Sequence, residues 1–268
     1  MLNGYKIINN HCHIYPEKIV TAAVGATDRF YGINSVYDGR IDTLINEGTA
    51  AGIDKFMVCS VATTPKQVRS INSFIAKSVD EHKDVLVGLG ALHPDTEDLC
   101  GDIAQIKELG LKGVKLHPDI QRFKIDDYRC LKIYEECEKE GLPILMHTGD
   151  NRYDFSNPNR LLPVLKIYTN LIVVGAHLGG YSVYDEAVEK LKDLPNFYVD
   201  CSSSFFMLDT QKAKNIMLQY GIDKVLFGTD YPLWDFNKEL QTLFEMNFSK
   251  SDYQKIFYDN TAKVFGLE

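Results

Sequence analysis

The 268-residue chain predicts an α/β fold, a (β/α)₈ TIM barrel formed as a single domain over 1–268, with its chemistry at the C-terminal ends of the strands. Three observations predict it. Eight strand-like apolar runs recur along the chain, stretches of helical spacing separate them, and most of the histidines stand where the runs end.

The runs lie at 6–15, 55–62, 85–92, 113–117, 143–148, 171–177, 197–203 and 225–230. Most are apolar nearly throughout, as expected when helices cover one face of a parallel sheet and a filled interior covers the other. Between them, 41–51, 65–82, 96–109, 127–140, 158–168, 183–192 and 209–220 carry helical spacing with charged faces, and 236–247 and 251–264 follow the last run. Gly110, Gly141 and Gly221 follow three of these helices, where a left-handed residue can end a helix. The longest irregular segment, 16–40, follows the first strand and reads either as a packed surface excursion or as a lid. No internal repeat, low-complexity tract or interdomain linker is visible.

Composition narrows the function. A net charge of −8 and a pI near 5.4, with no Lys/Arg run longer than two, argue against a nucleic-acid partner. No uncharged apolar run is long enough to cross a bilayer, and the N-terminus lacks the pattern of a secretory signal, so a cytoplasmic protein with no membrane partner is expected. The six cysteines contain no Cys-X-X-Cys pair, which fits reduced thiols. The expected partner is a small-molecule substrate, and the sequence leaves a homodimer open.

The polar residues at strand ends carry the chemistry. The first run closes in His11-Cys12-His13, and residues two apart on a strand share a face, so two imidazoles can point at one ion. Cys12 points the other way. The fourth run ends in Lys115-Leu116-His117-Pro118, the fifth in Met146-His147-Thr148-Gly149, the sixth in Ala176-His177-Leu178-Gly179-Gly180 and the eighth in Gly228-Thr229-Asp230-Tyr231-Pro232. Five of the seven histidines sit at these ends; His82 and His93 do not. A shared divalent ion explains the clustering more simply than separate buried imidazoles. Three imidazoles, one carboxylate and an open position suit Zn²⁺, with Mn²⁺ or Fe²⁺ also compatible.

These segments, in this order, resemble the amidohydrolase superfamily and its amidohydrolase-related branch, which includes aminocarboxymuconate-semialdehyde decarboxylase. The resemblance implies that His11, His13, His147 and Asp230 bind the metal and that His177 is a general acid/base, with Asp230 sharing proton transfer. It favours one ion. A second ion bridged by a carboxylated Lys115 stays open, because His147 and His177 could help to hold it.

Two reactions suit such a site. Hydrolysis of a C–N or C–O bond ranks first, because the chain lacks the insertions that shape the pockets of the branch's decarboxylases. Nonoxidative decarboxylation of an unsaturated or aromatic acid ranks second. It needs a cation for a carboxylate, for which Arg122 and Arg152 are candidates, and Lys115 and His117 are further candidates for substrate binding.

Overall fold

The computed structural model describes residues 2–267. Its first strand, β1 (Ile8–His13), pairs in parallel with β2 (Lys55–Cys59), and β2 pairs with β3 (Leu86–Gly88). A second parallel set follows in chain order: β4 (Gly90–Ala91), β5 (Val114–Leu116), β6 (Ile144–Met146), β7 (Val173–Gly175), β8 (Phe197–Asp200) and β9 (Val225–Leu226). The third expected strand is thus two short ones. The Leu89 N–H still donates to Val58, whereas the Gly90 N–H donates to Gly113, so the ladder changes partner there.

Backbone bonds close the ring between its first and last strands. Asn10 N–H donates to the Phe227 carbonyl at 2.8 Å and His13 N–H to that of Tyr231 at 2.7 Å. The expected barrel is present. Its interior holds Ile8, Met57, Leu89, Leu145, Val174 and Leu226, and Val264 and Phe265 pack into the same cluster from the C-terminal segment. A larger apolar layer lies between the strands and the surrounding helices.

A register shift in β1 between Asn9 and Cys12 changes which residues face inward. Ile8 belongs to the interior cluster, but Cys12 belongs to the strand–helix layer, as its place in the sequence suggests. His11 and His13 therefore face the end of the barrel.

The helices match the expected spacing, with two additions, one within segment 16–40 and a single short turn at Pro118–Gln121. Segment 16–40 is not irregular throughout: it contains helix α1, Val20–Tyr31. Val20, Ala23, Val24, Thr27, Phe30 and Tyr31 recur at helical intervals. Ile19 at its N-cap makes no side-chain capping bond, so the usual start signal is missing. The helices α2 (Ile41–Ala50), α3 (Val68–Glu81), α4 (Leu99–Glu108), α5 (Pro118–Gln121), α6 (Tyr128–Glu140), α7 (Pro158–Ile167), α8 (Tyr184–Leu191), α9 (Thr210–Tyr220) and α10 (Phe236–Glu245) follow in order.

Gly141 ends α6 in the left-handed conformation, as expected. Gly221 does not; at φ 86° and ψ 132° it leads from α9 into a 3₁₀ turn, Ile222–Lys224. The last expected helix divides into α11 (Lys250–Gln254), a π-helical turn (Lys255–Asp259) and α12 (Asn260–Phe265). The Ile256 carbonyl, within that turn, accepts the Phe227 N–H at 3.0 Å and ties the segment to the barrel. Among the described residues, no helix is long and apolar enough to cross a membrane.

Candidate metal centre

The groups expected at the strand ends meet at one end of the barrel. The His11 Nε2 atom lies 3.2 Å from His13 Nε2, and Asp230 Oδ1 lies 3.3 Å from the former and 3.5 Å from the latter. All three ligand atoms fall within 4.8 Å of one another. Lys115 points into the same end, its Nζ donating to His11 Nε2 at 2.8 Å.

What lies behind each imidazole decides which nitrogen faces inward. Asp200, at the end of β8, accepts from His11 Nδ1–H at 2.9 Å, which leaves the Nε2 lone pair turned toward His13 and Asp230. The Ser202 carbonyl accepts from His177 Nδ1–H at 3.0 Å, which leaves His177 Nε2 facing His147 Nδ1 at 2.9 Å. Asp200 also holds the backbone, accepting the N–H groups of His177 at 3.1 Å and Ser202 at 3.0 Å. One buried carboxylate thus orients groups from β1, from the turn after β7 and from its own strand end.

Burial and neighbouring charge lower the pKa of four imidazoles in this cluster. Loss of water pulls His13, His117 and His147 well below the usual histidine range, with Lys115 or another histidine adding to the effect. Burial brings His177 down to about 4 against the opposing pull of Asp230 and Asp200. For Asp230, burial works to raise the pKa, but His11, His177, His13 and Lys115 outweigh it and hold the carboxyl far below its ordinary range. Two lone pairs and a carboxylate therefore converge on one point, which is the donor set of a divalent cation.

Two of these residues have unusual backbones. His177 and Asp230 both have φ near +60°, a left-handed conformation that costs a non-glycine residue about 1–3 kcal/mol. Such strain persists only where surrounding bonds fix it, and here Asp200 and the Leu233 N–H to Asp230 carbonyl bond do so. Gly149, after β6, serves the same end. At φ +77° its missing Cβ would stand 2.5 Å from the Gly180 backbone, so only glycine lets the loops carrying His147 and His177 meet.

Three of the four expected ligands converge; His147 lies one step away, across His177. It groups instead with His117 and Asp119. Its ring stacks on His117 with centroids 4.0 Å apart, and its buried Nε2 lies 3.5 Å from Asp119 Oδ2 without a hydrogen bond. Burial pushes the Asp119 carboxyl up to about 7. His117 caps α5, accepting the Ile120 N–H at 3.3 Å, while its Nε2 meets the Tyr31 hydroxyl at 2.8 Å.

Arg152 does not line the cavity before the converging groups. Its guanidinium pairs with the buried Asp150 at 2.7 Å, donates to the Phe30 carbonyl at 2.6 Å and lies over the rings of Phe30, Tyr31 and Tyr153. It fastens the end of α1 to the loop after β6. Arg122 is exposed at the left-handed end of α5.

Three contributors escaped the sequence reading. Asp200 closes an apolar strand, a signal equal to that of Asp230. Asp119 lies two residues beyond His117. Tyr31 reaches His117 and His147 from a helix that carries no start signal.

In front of the converging groups opens a cavity of about 550 Å³, reaching from His11, His13 and Asp230 to α1 and α3. Lys115 is the one Lys or Arg among the described residues that line it.

The architecture recurs in known proteins. An uncharacterised TIM-barrel protein from Bordetella bronchiseptica superposes with a TM-score of 0.81 at 21% identity, covering 98% of this chain and 99% of that one. A 5-carboxyvanillate decarboxylase from Novosphingobium aromaticivorans, with bound manganese and 3-methoxy-4-hydroxy-5-nitrobenzoic acid, superposes at 0.77 with 16% identity, covering 98% of each chain. In sequence, the chain is 25% identical over 240 residues to 2-amino-3-carboxymuconate-6-semialdehyde decarboxylase of Dictyostelium discoideum, a match covering 74% of this chain and 66% of that protein, just under two thirds. The profile of the family described as Amidohydrolase matches residues 10–267, almost the whole chain, and the protein belongs to that family.

Proposed function

We propose that the protein is a metal-dependent nonoxidative decarboxylase of a small carboxylic acid. The observation that carries this reading is the chamber before the converging groups: Lys115, the one Lys or Arg among the described residues that line it, stands beside the donor set, while the far walls are mostly apolar and carry no charge. A localised carboxylate loses charge as CO₂ departs, and a mostly apolar chamber favours that change over the solvated ground state. The decarboxylase matched in sequence supports the same reading.

His11, His13 and Asp230 would hold one divalent ion, and His147, the expected fourth ligand, stands one step away across His177 and would reach the ion only by a shift of its ring. Mn²⁺ is favoured by the manganese in the Novosphingobium enzyme, and Zn²⁺ suits the donors equally. Bound there, the ion supplies Lewis-acid charge that polarises a substrate oxygen.

The chain's own residues do the rest. Lys115 balances the charge of the incoming carboxylate. His177, its Nδ1–H committed to the Ser202 carbonyl, takes a proton at Nε2 from solvent or substrate and delivers it to the carbon that CO₂ leaves. The C–C bonding pair stays on that carbon and becomes the new C–H bond. Asp230 Oδ2 accepts from Ser203 at 2.6 Å, and Ser203 in turn accepts from Trp234 Nε1 at 2.7 Å, so the carboxylate keeps a fixed orientation.

Hydrolysis, ranked first from the sequence, becomes the second reading. The pairing of Asp230 with His177 on one cavity favours it, because the same groups could deprotonate a water molecule. A panel of unsaturated and aromatic acids, scored by CO₂ release, beside lactones and amides, scored by acid production, separates the two. Chelator-treated protein should be inactive and Mn²⁺ or Zn²⁺ should restore it. Turnover of lactones or amides without CO₂ release from any acid would overturn decarboxylation.

A further inference from the structure

Helix α1 has an apolar face that the protein buries only in part. Of its twelve residues only Val20 is buried, although apolar side chains recur at helical spacing to Tyr31. Helices of this kind ordinarily gain their stability by packing that face on a core. Here Ala23, Thr27 and Phe30 line the cavity instead, with the half-exposed Ile19 beside them. Opposite stands α3. Its Val68, Asn72, Ile75 and Ser78 are buried, while the neighbouring Ile71 and Phe74 are only partly buried and face the same cavity.

The groove between these helices is continuous with the space before His11, His13 and Asp230. About 550 Å³ lies within the range of pockets that enclose ligands well beyond a single small ring, roughly 300–1,000 Å³. The charged inventory is correspondingly sparse. Lys115 and Asp230 are the charged residues among the described lining groups, and no guanidinium is there to hold a second carboxylate.

From this we propose that the substrate is an amphiphilic monocarboxylate: one carboxylate at Lys115 and the donor set, and an apolar body of several methylenes or a substituted ring filling the groove between α1 and α3. This names the substrate class of the decarboxylase reading and rests on that reading for the use of the site. The apolar body completes the packing that α1 lacks. A second carboxylate would find no cation on these walls, where the neutral polar groups of Thr27, Thr63, Gln67 and Ser70 stand beside Ile71, Phe74 and Ala23.

The test is direct binding, independent of turnover. The Mn²⁺-loaded protein is titrated calorimetrically with unreactive 4-alkylbenzoates from methyl to pentyl. At the usual gain per buried methylene, affinity should rise roughly fourfold per step and about 250-fold across the series. Ala23→Trp, on one wall, and Ile71→Asn, on the other, should each flatten that rise while circular dichroism shows the fold retained. Equal affinity along the series in the wild-type protein overturns the proposal, as does an unchanged rise in both variants. A rising series with no CO₂ released from any acid upholds the amphiphile and defeats the decarboxylase. CO₂ release with a flat series does the reverse.

Discussion

The floor of the cavity and its α1 cover are built on opposite terms. His11, His147, His177 and Asp200 are at most 2% exposed, and Asp200 alone holds His11, Ser202 and the His177 backbone. The cover has one buried residue in twelve and no side chain capping its start. The floor is fixed from several directions, so its geometry survives without substrate. The cover is fastened at its end by Arg152 and is otherwise half-packed. Chemistry is thereby placed on strand ends, and selectivity on an element that can adjust.

Breaking the floor should have the largest effect. His11→Ala combined with His13→Ala removes two of three converging donors, and elemental analysis should find the metal lost and turnover abolished. One metal per chain in that double variant would sink the assignment. Asp230→Asn keeps the volume but removes the charge, and a fall in kcat of about 10²–10⁴-fold is expected with the fold retained by circular dichroism. His177→Asn should lose turnover yet keep the ion. Loss of metal there would point to a second ion.

Asp200→Asn probes the floor one layer out. An asparagine amide can still accept from His11 Nδ1–H, but without full charge and with only one acceptor oxygen for the His11, His177 and Ser202 donors. Metal affinity should fall about 10–100-fold, measured by competition with a chelator. Burial would raise the Asp200 carboxyl, but His11 and His177 hold it down near 2, so it stays ionised at all working pH. An Asp200→Asn protein that binds metal as the wild type does would show that the His11 tautomer is set elsewhere.

The same contrast explains what the sequence could show. The barrel was legible because parallel strands covered on both faces must be apolar, and helices between them must carry a polar outer face. His11, His13 and Asp230 were legible because each ends such a strand with an ionisable group. Asp200 has that position too but no histidine neighbour in sequence, and only the fold brings His11 to it. The α1 cover was obscured because Gly25 and an uncapped start disguise a helix whose apolar face meets empty space. For Arg152 the sequence shows a cation near a strand end, and only the fold shows Asp150 and the Phe30 carbonyl beneath it. The split of the third strand and the π turn near the C-terminus depend on backbone partners that no local pattern encodes.

Loosening the cover should act on binding more than on chemistry. Arg152→Ala removes the bond to the Phe30 carbonyl and the cation over three aromatic rings, and leaves Asp150 buried without its partner. A rise in KM on the order of tenfold with a smaller change in kcat is expected, because Tyr31 and Phe30 shift while the floor stays. Arg152→Lys should restore little, since a lysine cannot reproduce the forked contacts to Asp150 and Phe30 together. An equal fall in kcat with KM unchanged would instead make the α1 end part of the chemical step.

The smallest effect on turnover, and a separate one on stability, is expected at Glu239. It lies buried on α10 with Oε2 unpartnered, and burial pushes its carboxyl up to about 8 although Lys238 pulls the other way. A carboxyl whose folded pKa is raised binds its proton more tightly in the folded chain. Its contribution is therefore fully present below the unfolded value of 4.5 and is lost as pH climbs through about 8. Between those limits the wild-type unfolding free energy should fall by up to about 1.4 kcal/mol per pH unit from this group alone. Glu239→Gln is neutral at every pH and should remove that slope, so that urea midpoints of variant and wild type diverge from pH 5 to 8 in the variant's favour. Parallel curves would mean that Glu239 is paired in solution and that water reaches the buried face of α10.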